Sequence, residues 1–183
     1  WIVLVARPTD RARLWRIARS AGLTKVVAIV AGASSRAGSV TRGLAALPER
    51  AMWVVIHDGA RPCVSARLIE TTVRQARRYG AVACGLPAAL TVKAVDRGGA
   101  VRLTLDRDQL WFVQTPQIFR RAWLQEALAR IDGRLEQFPD DAAMLEWAGF
   151  RVQMIPGDPL NIKVTTREDL LLAATILKNR QHT

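Results

Sequence analysis

Hydrophobic and polar positions alternate along the first half of the chain as they do in repeated strand and helix units. Short apolar runs are each followed by a longer stretch with apolar residues at helical spacing, and Gly22 and Gly80 act as stop signals. The predicted strands are 1–5, 25–30, 53–57 and 81–86. The predicted helices are 10–21, 65–79 and one that opens in the loop 32–39 and ends at Leu47. The alternation predicts an α/β fold around a mainly parallel sheet that is covered on both faces.

The pattern then changes to a period near two over residues 91–95 and 101–105, on either side of a polar turn. This predicts a β-hairpin, and a hairpin that interrupts an α/β chain is expected to project and to cover a site or contact another subunit. Farther on, Pro116 is expected in the first turn of a helix over 117–131. The remaining predicted elements are a helix at 142–148, strands at 151–155 and 161–164, and a last helix capped by Thr165 or Thr166 that runs through Leu177.

The stretch 53–62, W-V-V-I-H-D-G-A-R-P, places polar residues directly after a buried strand. Asp58 is followed by the small-residue turn Gly59-Ala60 and by Arg61. Ligands of open α/β sheets lie at the carboxyl ends of the strands, and an acid beside a small-residue turn lets a metal-bound phosphate approach the backbone. The alternative is an ordinary strand-to-helix turn in which Asp58 caps the next helix and Arg61 is solvated. The residues alone leave both interpretations open.

A second candidate is the loop 32–39, G-A-S-S-R-A-G-S, which is rich in small and hydroxyl residues and opens a helix. Backbone amides and a helix N-terminus at this place could hold an anionic or polar ligand. The loop lacks the spacing G-x-x-x-x-G-K-[ST] of a P-loop, so a plain connection is the alternative. Lys163, taken by itself, is typical of a surface lysine on an edge strand.

Composition narrows the class of protein. The 183 residues, of which 50% are hydrophobic, suit a single domain over 1–183. No apolar run approaches the roughly 20 residues of a membrane span, and the start has no signal-peptide pattern, so we expect a cytoplasmic protein. Cys63 and Cys84 form no C-x-x-C pair, which argues against a zinc site or a disulfide framework. The formal charge of +11 is spread over many segments, which favours an arginine bias over nucleic-acid binding.

Taken together, the short motifs of the chain resemble those of the 2-C-methyl-D-erythritol 4-phosphate cytidylyltransferases. The resemblance covers essentially the whole chain and depends on the joint order of the motifs, none of which is decisive alone. The motifs are Ser39-Val40, the stretch 57–62, the hairpin start at 91–93, Asp106-Arg107, Leu110-Trp111, the stretch 115–117, Asp140-Asp141, the stretch 161–165 and the stretch 168–170.

The resemblance implies a Rossmann-like, three-layer nucleotidyltransferase with a projecting hairpin arm. Its reaction would be the transfer of a cytidylyl group from CTP to 2-C-methyl-D-erythritol 4-phosphate, with Mg2+ and release of pyrophosphate, in non-mevalonate isoprenoid biosynthesis. Because a substrate phosphate attacks the α-phosphorus of CTP, the protein has to neutralise charge and hold two anions in line. The family also implies a homodimer in which the hairpin 91–105 is the dimer arm.

Residue roles follow from the resemblance position by position. The nucleotide-binding residues would be Gly32, Ala33, Ser39, Asp58 and Gly59, with Asp58 also meeting Mg2+. The substrate-binding residues would be Asp58, Arg61, Thr91 and Thr115. The catalytic residues would be Arg107 and Lys163, which position the substrate phosphate, while Thr91 and Arg107 would reach the site of the neighbouring subunit.

The chain departs from the family pattern at several places. Ala33 replaces a usual second glycine, Leu90 a common aspartate, and Pro139 a frequent substrate-binding threonine. The family opens with a strand, a glycine-rich loop and a lysine that have no counterpart here, so we expect the first βα unit to be missing and the chain as given to be nearly inactive. Ala60 favours methylerythritol over ribitol 5-phosphate. The alternatives are a ribitol 5-phosphate cytidylyltransferase, a non-catalytic dimerising member of the family, and a polyanion-binding protein.

Overall fold

The computed structural model of the chain describes residues 1–131 and 135–180. In chain order its elements are β1 (Ile2–Ala6), α1 (Arg11–Ser20), β2 (Val26–Ala31), α2 (Arg36–Ala45), β3 (Trp53–Ile56), α3 (Ala66–Tyr79), β4 (Ala81–Pro87), β5 (Val92–Val95), β6 (Val101–Leu105), β7 (Trp111–Arg120), α4 (Arg121–Ile131), α5 (Asp141–Trp147), β8 (Gln153–Pro156) and α6 (Arg167–Arg180). Short 3-10 turns lie at Pro8–Asp10, Arg107–Gln109 and Leu135–Gln137. The α/β fold that the sequence predicts is confirmed.

The chain divides into two compact units. Unit 1 is Trp1–Val54 with Phe119–Val152, and unit 2 is Val55–Ile118 with Gln153–Thr183. Each unit is therefore built from two separate stretches of sequence. The single domain that we expect over 1–183 stays a prediction.

Unit 1 opens on a βαβ arrangement. Strand β1 pairs in parallel with β2, and α1 connects the two. Ala18 of α1 packs with Val26 and Ile29 of β2, and Leu4, Leu14 and Trp15 pack against this cluster. The predicted βαβ unit is confirmed, whereas the expectation that a first βα unit is missing is not confirmed.

A four-stranded sheet has the order β3-β7-β4-β8, and its strands β4 and β8, both in unit 2, are parallel. Helix α3 packs on β4 and buries Leu68, Thr72 and Ala76 of the inner face that the sequence predicts, whereas Ile69 of that face is 36% exposed. The Ser65 hydroxyl accepts a hydrogen bond from Leu68 N–H at 3.2 Å and caps α3. Gly80, at φ +85°, ends the helix in a conformation that favours glycine.

The segment around Pro116 is a correction to the sequence prediction. A helix over 117–131 was expected, but β7 continues to Arg120 and α4 begins only at Arg121. Residues 114–119 are all buried, as a central strand requires. Because Gln114, Thr115 and Gln117 are polar, the segment does not read as a buried strand in the sequence. The Thr115–Pro116 peptide bond is cis.

The predicted strand at 161–164 is also wrong, since the described structure has no strand there. The segment is held instead by Asn161 and by a hydrogen bond from Val164 N–H to the Ala60 carbonyl at 2.7 Å. The last helix begins as predicted, with Thr166 accepting from Asp169 N–H. In return the Asp169 carboxylate accepts from the backbone and hydroxyl of Thr165 and from Thr166 N–H, and these bonds lower its pKa to about 2.

The predicted hairpin is confirmed: β5 and β6 pair antiparallel, with Val92 opposite Leu105. The Asp96 carboxylate closes the turn by accepting from the Gly98 and Ala100 amides. Among residues 1–131 and 135–180, no helix has the length and apolar character needed to cross a membrane.

Candidate active site

Polar side chains converge in unit 2 where β3 ends, in the middle of β7 and in the segment that follows β8. We call this group the Asp58 cluster; it consists of His57, Asp58, Arg61, Gln114, Thr115, Asn161 and Lys163. At its centre the Lys163 ammonium lies 3.1 Å from a carboxylate oxygen of Asp58. The Asp58 side chain is 18% exposed and that of Lys163 is 47% exposed, so the ammonium is the more accessible partner. The sequence prediction that these two residues share a site is consistent with this geometry.

Thr115 holds the backbone of Asp58 in place. Its hydroxyl oxygen accepts the Asp58 N–H at 3.0 Å and lies 3.1 Å from Nδ1 of His57. The Nε2 of His57 is 3.1 Å from the Arg61 carbonyl, which can only accept. A neutral His57 therefore donates from Nε2 and accepts the Thr115 hydroxyl hydrogen at Nδ1. This circuit leaves little freedom for the turn that carries Asp58.

Two buried amide side chains hold the segment that carries Lys163. The Gln114 side chain donates to the Asp158 carbonyl at 3.0 Å and accepts from the Asp158 N–H at 3.2 Å, as a neighbouring backbone would. Asn161, with no exposed surface, donates from Nδ2 to the Thr115 carbonyl at 2.8 Å. A glycine suits position 157, because a Cβ there would clash with the side-chain oxygen of Gln114, which Asp158 holds in place.

Arg61 also stabilises the segment that carries Asn161 and Lys163. Its guanidinium donates to the Asn161 carbonyl at 2.8 Å and to the Val113 carbonyl at 3.4 Å, and its Nε lies 3.8 Å from the Asp58 carboxylate. The side chain is 11% exposed. The alternative of a solvated Arg61 is therefore wrong, and the contact of Arg61 with substrate stays a prediction.

The predicted substrate residues of the hairpin region lie elsewhere in unit 2. Arg107 is exposed and donates to the Ala89 carbonyl at 2.9 Å, beside the hairpin. Thr91 is exposed directly before β5. Gly59 is exposed as well, and a Cβ added to it would meet no atom within 4 Å. Within the described hydrogen bonds and ion pairs, Thr91 and Arg107 do not join the Asp58 cluster.

The predicted nucleotide residues of unit 1 form a compact loop of their own. The Ser39 hydroxyl accepts from Ala33 N–H at 3.0 Å and donates to the Ser35 carbonyl at 2.9 Å. Arg42 donates to the Gly32 carbonyl at 2.7 Å. A Cβ on Gly32 would lie 3.1 Å from the Ser39 oxygen, so a glycine lets the loop close on this hydroxyl. The structure thus brings Gly32, Ala33 and Ser39 together.

Sequence reasoning missed three members of the Asp58 cluster: His57, Gln114 and Asn161. His57 looked like the last residue of a strand, and the two amides have partners that are distant in the sequence. A weak signal existed, because polar residues inside apolar segments need buried partners. This signal does not identify the residues with which His57, Gln114 and Asn161 pair.

Comparisons with known proteins decide the family. The family model described as IspD, 2-C-methyl-D-erythritol 4-phosphate cytidylyltransferase, matches residues 1–179. The chain belongs to this family. The relative of that name from Syntrophus aciditrophicus is 42% identical over 159 residues, which is 87% of this chain and 68% of the relative. The relative from Nostoc sp. is 37% identical over 182 residues, 100% of this chain and 80% of its own length.

Solved structures agree with this cytidylyltransferase family membership. The 4-diphosphocytidyl-2C-methyl-D-erythritol synthase of Anaerococcus prevotii has a TM-score of 0.86 and 29% identity, covering 97% of this chain and 78% of that one. The Thermus thermophilus cytidylyltransferase has a TM-score of 0.73 and 33% identity, covering 82% and 74%. The family resemblance and the nucleotidyltransferase fold are therefore confirmed. N-terminal incompleteness is not confirmed, so the near-inactivity expected from it is not part of the function proposed below.

Proposed function

We propose that this protein transfers the cytidylyl group of CTP to 2-C-methyl-D-erythritol 4-phosphate and releases pyrophosphate, a step of non-mevalonate isoprenoid biosynthesis. Membership of the cytidylyltransferase family supports the reaction. The observation that carries it is the 3.1 Å contact of Asp58 and Lys163 on a scaffold of buried polar groups. A reaction between two anions needs fixed charges of this kind more than it needs covalent chemistry.

In this reaction an oxygen of the methylerythritol phosphate forms a bond to the α-phosphorus of CTP. The bond from the α-phosphorus to its bridging oxygen breaks, and pyrophosphate leaves with that electron pair. Lys163 binds the attacking phosphate, because its ammonium is the accessible charge of the cluster. In the homodimer proposed below, Arg107 of the partner subunit adds a second cation to this phosphate.

The Lys163 ammonium is paired with the Asp58 carboxylate at 3.1 Å, and a substrate phosphate would compete for the same cation. A substrate phosphate that binds Lys163 replaces the Asp58 carboxylate, which then becomes available for other ligands. Thr115 and His57 keep the Asp58 backbone in place during this exchange. The other substrate contacts that we propose are those of Arg61, Thr91 and Thr115.

The metal that we propose is Mg2+, held by Asp58. Among the described residues no group of three or more His, Cys, Asp or Glu side chains could hold a metal ion. A single carboxylate nevertheless fits Mg2+, which proteins usually bind through one or two carboxylates together with substrate phosphates and water. When bound, the ion neutralises charge that develops on the phosphate oxygens.

The loop 32–39 is proposed to hold the cytidine. The Ser39 hydroxyl donates its hydrogen to the Ser35 carbonyl and accepts the Ala33 N–H with one lone pair. Its remaining lone pair can only accept, which suits the exocyclic amino group of cytosine and disfavours the carbonyl at the same position of uracil. Gly32 and Ala33 contribute main-chain contacts to the cytidine, and a role of Gly59 in nucleotide binding stays a prediction.

We further propose a homodimer built through the hairpin β5–β6. Val95, Val101 and Leu103 of the hairpin are 54%, 60% and 57% exposed, and exposed apolar groups on an arm favour a second copy. Light scattering should give the mass of two chains, and Leu103→Lys should reduce it to one. Leu171→Lys, at a position of α6 that is 67% exposed, is the matched control and should leave the dimer intact. A monomeric parent protein, or a dimer that persists in the Leu103→Lys variant, would refute dimerisation through the hairpin.

The cytoplasm is the proposed place of the reaction. Cys63 and Cys84 are free and buried thiols, as expected where the surroundings are reducing.

Pyrophosphate release tests the proposed function. The purified protein is mixed with Mg2+, one nucleotide (CTP or UTP) and one acceptor (methylerythritol 4-phosphate or ribitol 5-phosphate). We expect release with CTP and methylerythritol 4-phosphate, and at least ten-fold less with UTP or with ribitol 5-phosphate. Equal rates with both acceptors would contradict the proposed substrate, and no release with any combination would contradict the reaction.

A further inference from the structure

An ion pair in unit 1 joins the loop 32–39 to a helix far away in the sequence. Arg36 is the first residue of α2 and Asp141 is the first residue of α5. A guanidinium nitrogen of Arg36 lies 2.6 Å from a carboxylate oxygen of Asp141. The Asp141 side chain has no exposed surface, whereas that of Arg36 is 36% exposed. A buried carboxylate thus holds a cation of the predicted nucleotide loop.

The ends of the two helices do not explain this pair. Helix α2 is capped by Ser35, whose hydroxyl accepts from Gly38 N–H at 3.1 Å. Helix α5 is capped by Asp140, which accepts from Ala143 N–H at 2.9 Å. A cation in the first turn of a helix opposes the helix dipole, so Arg36 is unfavourable for α2 by itself. The carboxylate of Asp141 offsets the charge of Arg36.

The ion pair of Arg36 with Asp141 also fixes the position of the first residue of α2. The loop is closed internally by the Ala33–Ser39 hydrogen bond and held at one end by Arg42, which binds the Gly32 carbonyl. The pair of Arg36 with Asp141 adds an anchor from outside the stretch of β2 and α2. Replacing either residue removes this contact, and the loss should cost more at Asp141, whose carboxylate is fully buried, than at Arg36, which is 36% exposed.

We propose that Asp141 is a positioning residue for the nucleotide loop and that it acts through Arg36. By holding Arg36 it places Ser39 and the loop amides where the cytidine binds, and it does not itself touch the nucleotide. The inference rests on the proposed function, in which this loop binds CTP. Small displacements of positioning groups cost large factors in binding and rate, so the effect should be measurable.

The test is the affinity for CTP, measured by calorimetry, together with the KM values for both substrates. Asp141→Asn and Arg36→Gln should each raise the Kd for CTP about ten-fold. The double variant should be no worse than either single variant, because both remove the same anchor. The KM for methylerythritol 4-phosphate should change less than two-fold, which a general loss of structure would not produce.

Glu126→Gln is the matched control. It removes a carboxylate that pairs with Arg130 on the exposed surface of α4, in the same unit, and it should leave CTP affinity unchanged. If Asp141→Asn does not fold, Arg36→Gln decides alone, since its side chain is partly exposed. Unchanged CTP affinity in folded Arg36→Gln would overturn the inference, as would additive effects in the double variant. A parent protein that does not bind CTP would instead overturn the proposed function.

Discussion

Replacing Lys163 by alanine should separate the chemistry of the Asp58 cluster from its stability. The ammonium lies 3.1 Å from Asp58, yet the Lys163 side chain is 47% exposed. Exposed ion pairs contribute about 0–1 kcal/mol to folding, and here solvent screens the pair on the lysine side. In a chain of 183 residues this is a shift in Tm of at most about 4 °C.

The effect on turnover should be far larger. A positioned charge that stabilises developing negative charge is worth about 2.7–4 kcal/mol, or roughly 100- to 1,000-fold in kcat. Lys163→Ala should therefore lower kcat by about this factor while the Kd for CTP changes little, because Lys163 binds the other substrate. Lys163→Arg keeps the charge but not its compact shape, and it should recover only part of the rate.

Steady-state pyrophosphate release measures kcat, calorimetry measures the Kd for CTP, and thermal unfolding measures Tm. Lys25→Ala is the control, because it makes the same change at another exposed lysine and should alter none of them. A kcat within three-fold of the parent protein would return Lys163 to an ordinary surface residue. A large fall in Tm would show that the ion pair is structural.

Three other positions give separate predictions. Asn161→Ala should lower the free energy of unfolding by about 1–3 kcal/mol, since it removes a buried hydrogen bond to the Thr115 carbonyl, and chemical denaturation measures this. Burial raises the pKa of Cys84 to about 11, so this thiol should resist thiol reagents at pH 8 until the protein unfolds; rapid labelling of the native protein would contradict the burial. The folded pKa of Asp169, about 2, is below its ordinary value of 3.8, so its stabilisation is present above about pH 4 and is lost as pH falls towards 2. The stability difference between the parent and Asp169→Asn should vanish over that range, and a difference independent of pH would refute it.

The elements that periodicity predicted well are those whose own residues carry the signal. Helix α3 has its apolar face, its Ser65 cap and its Gly80 stop within one stretch, and the hairpin has its alternation and turn. Strand β7 lacked such a signal. Its buried Gln114 and Thr115 are satisfied by Asp158 and by the end of β3, which periodicity within one segment cannot show.

The residues of the candidate site divide in the same way, into those that the sequence itself points to and those whose roles depend on distant partners. Asp58 could be named as a candidate from its place after a buried strand and Lys163 only from the family resemblance, and the structure brings the two into contact. The buried groups that hold them, Asn161 above all, could not be assigned, because their roles depend on contacts over long sequence separations. The anchor of Arg36 on Asp141 was invisible for that reason too, although both residues stand in recognisable motifs.

The central claim concerns the fate of the phosphorus atoms of CTP. CTP labelled at its α-phosphate in one sample and at its γ-phosphate in another is incubated with the purified protein, Mg2+ and methylerythritol 4-phosphate, and the products are separated. Attack on the α-phosphorus predicts that the α-label appears in CDP-methylerythritol and the γ-label in pyrophosphate, both only when the acceptor is present. Label that stays in CTP, or an α-label that appears as CMP with or without the acceptor, would contradict the account.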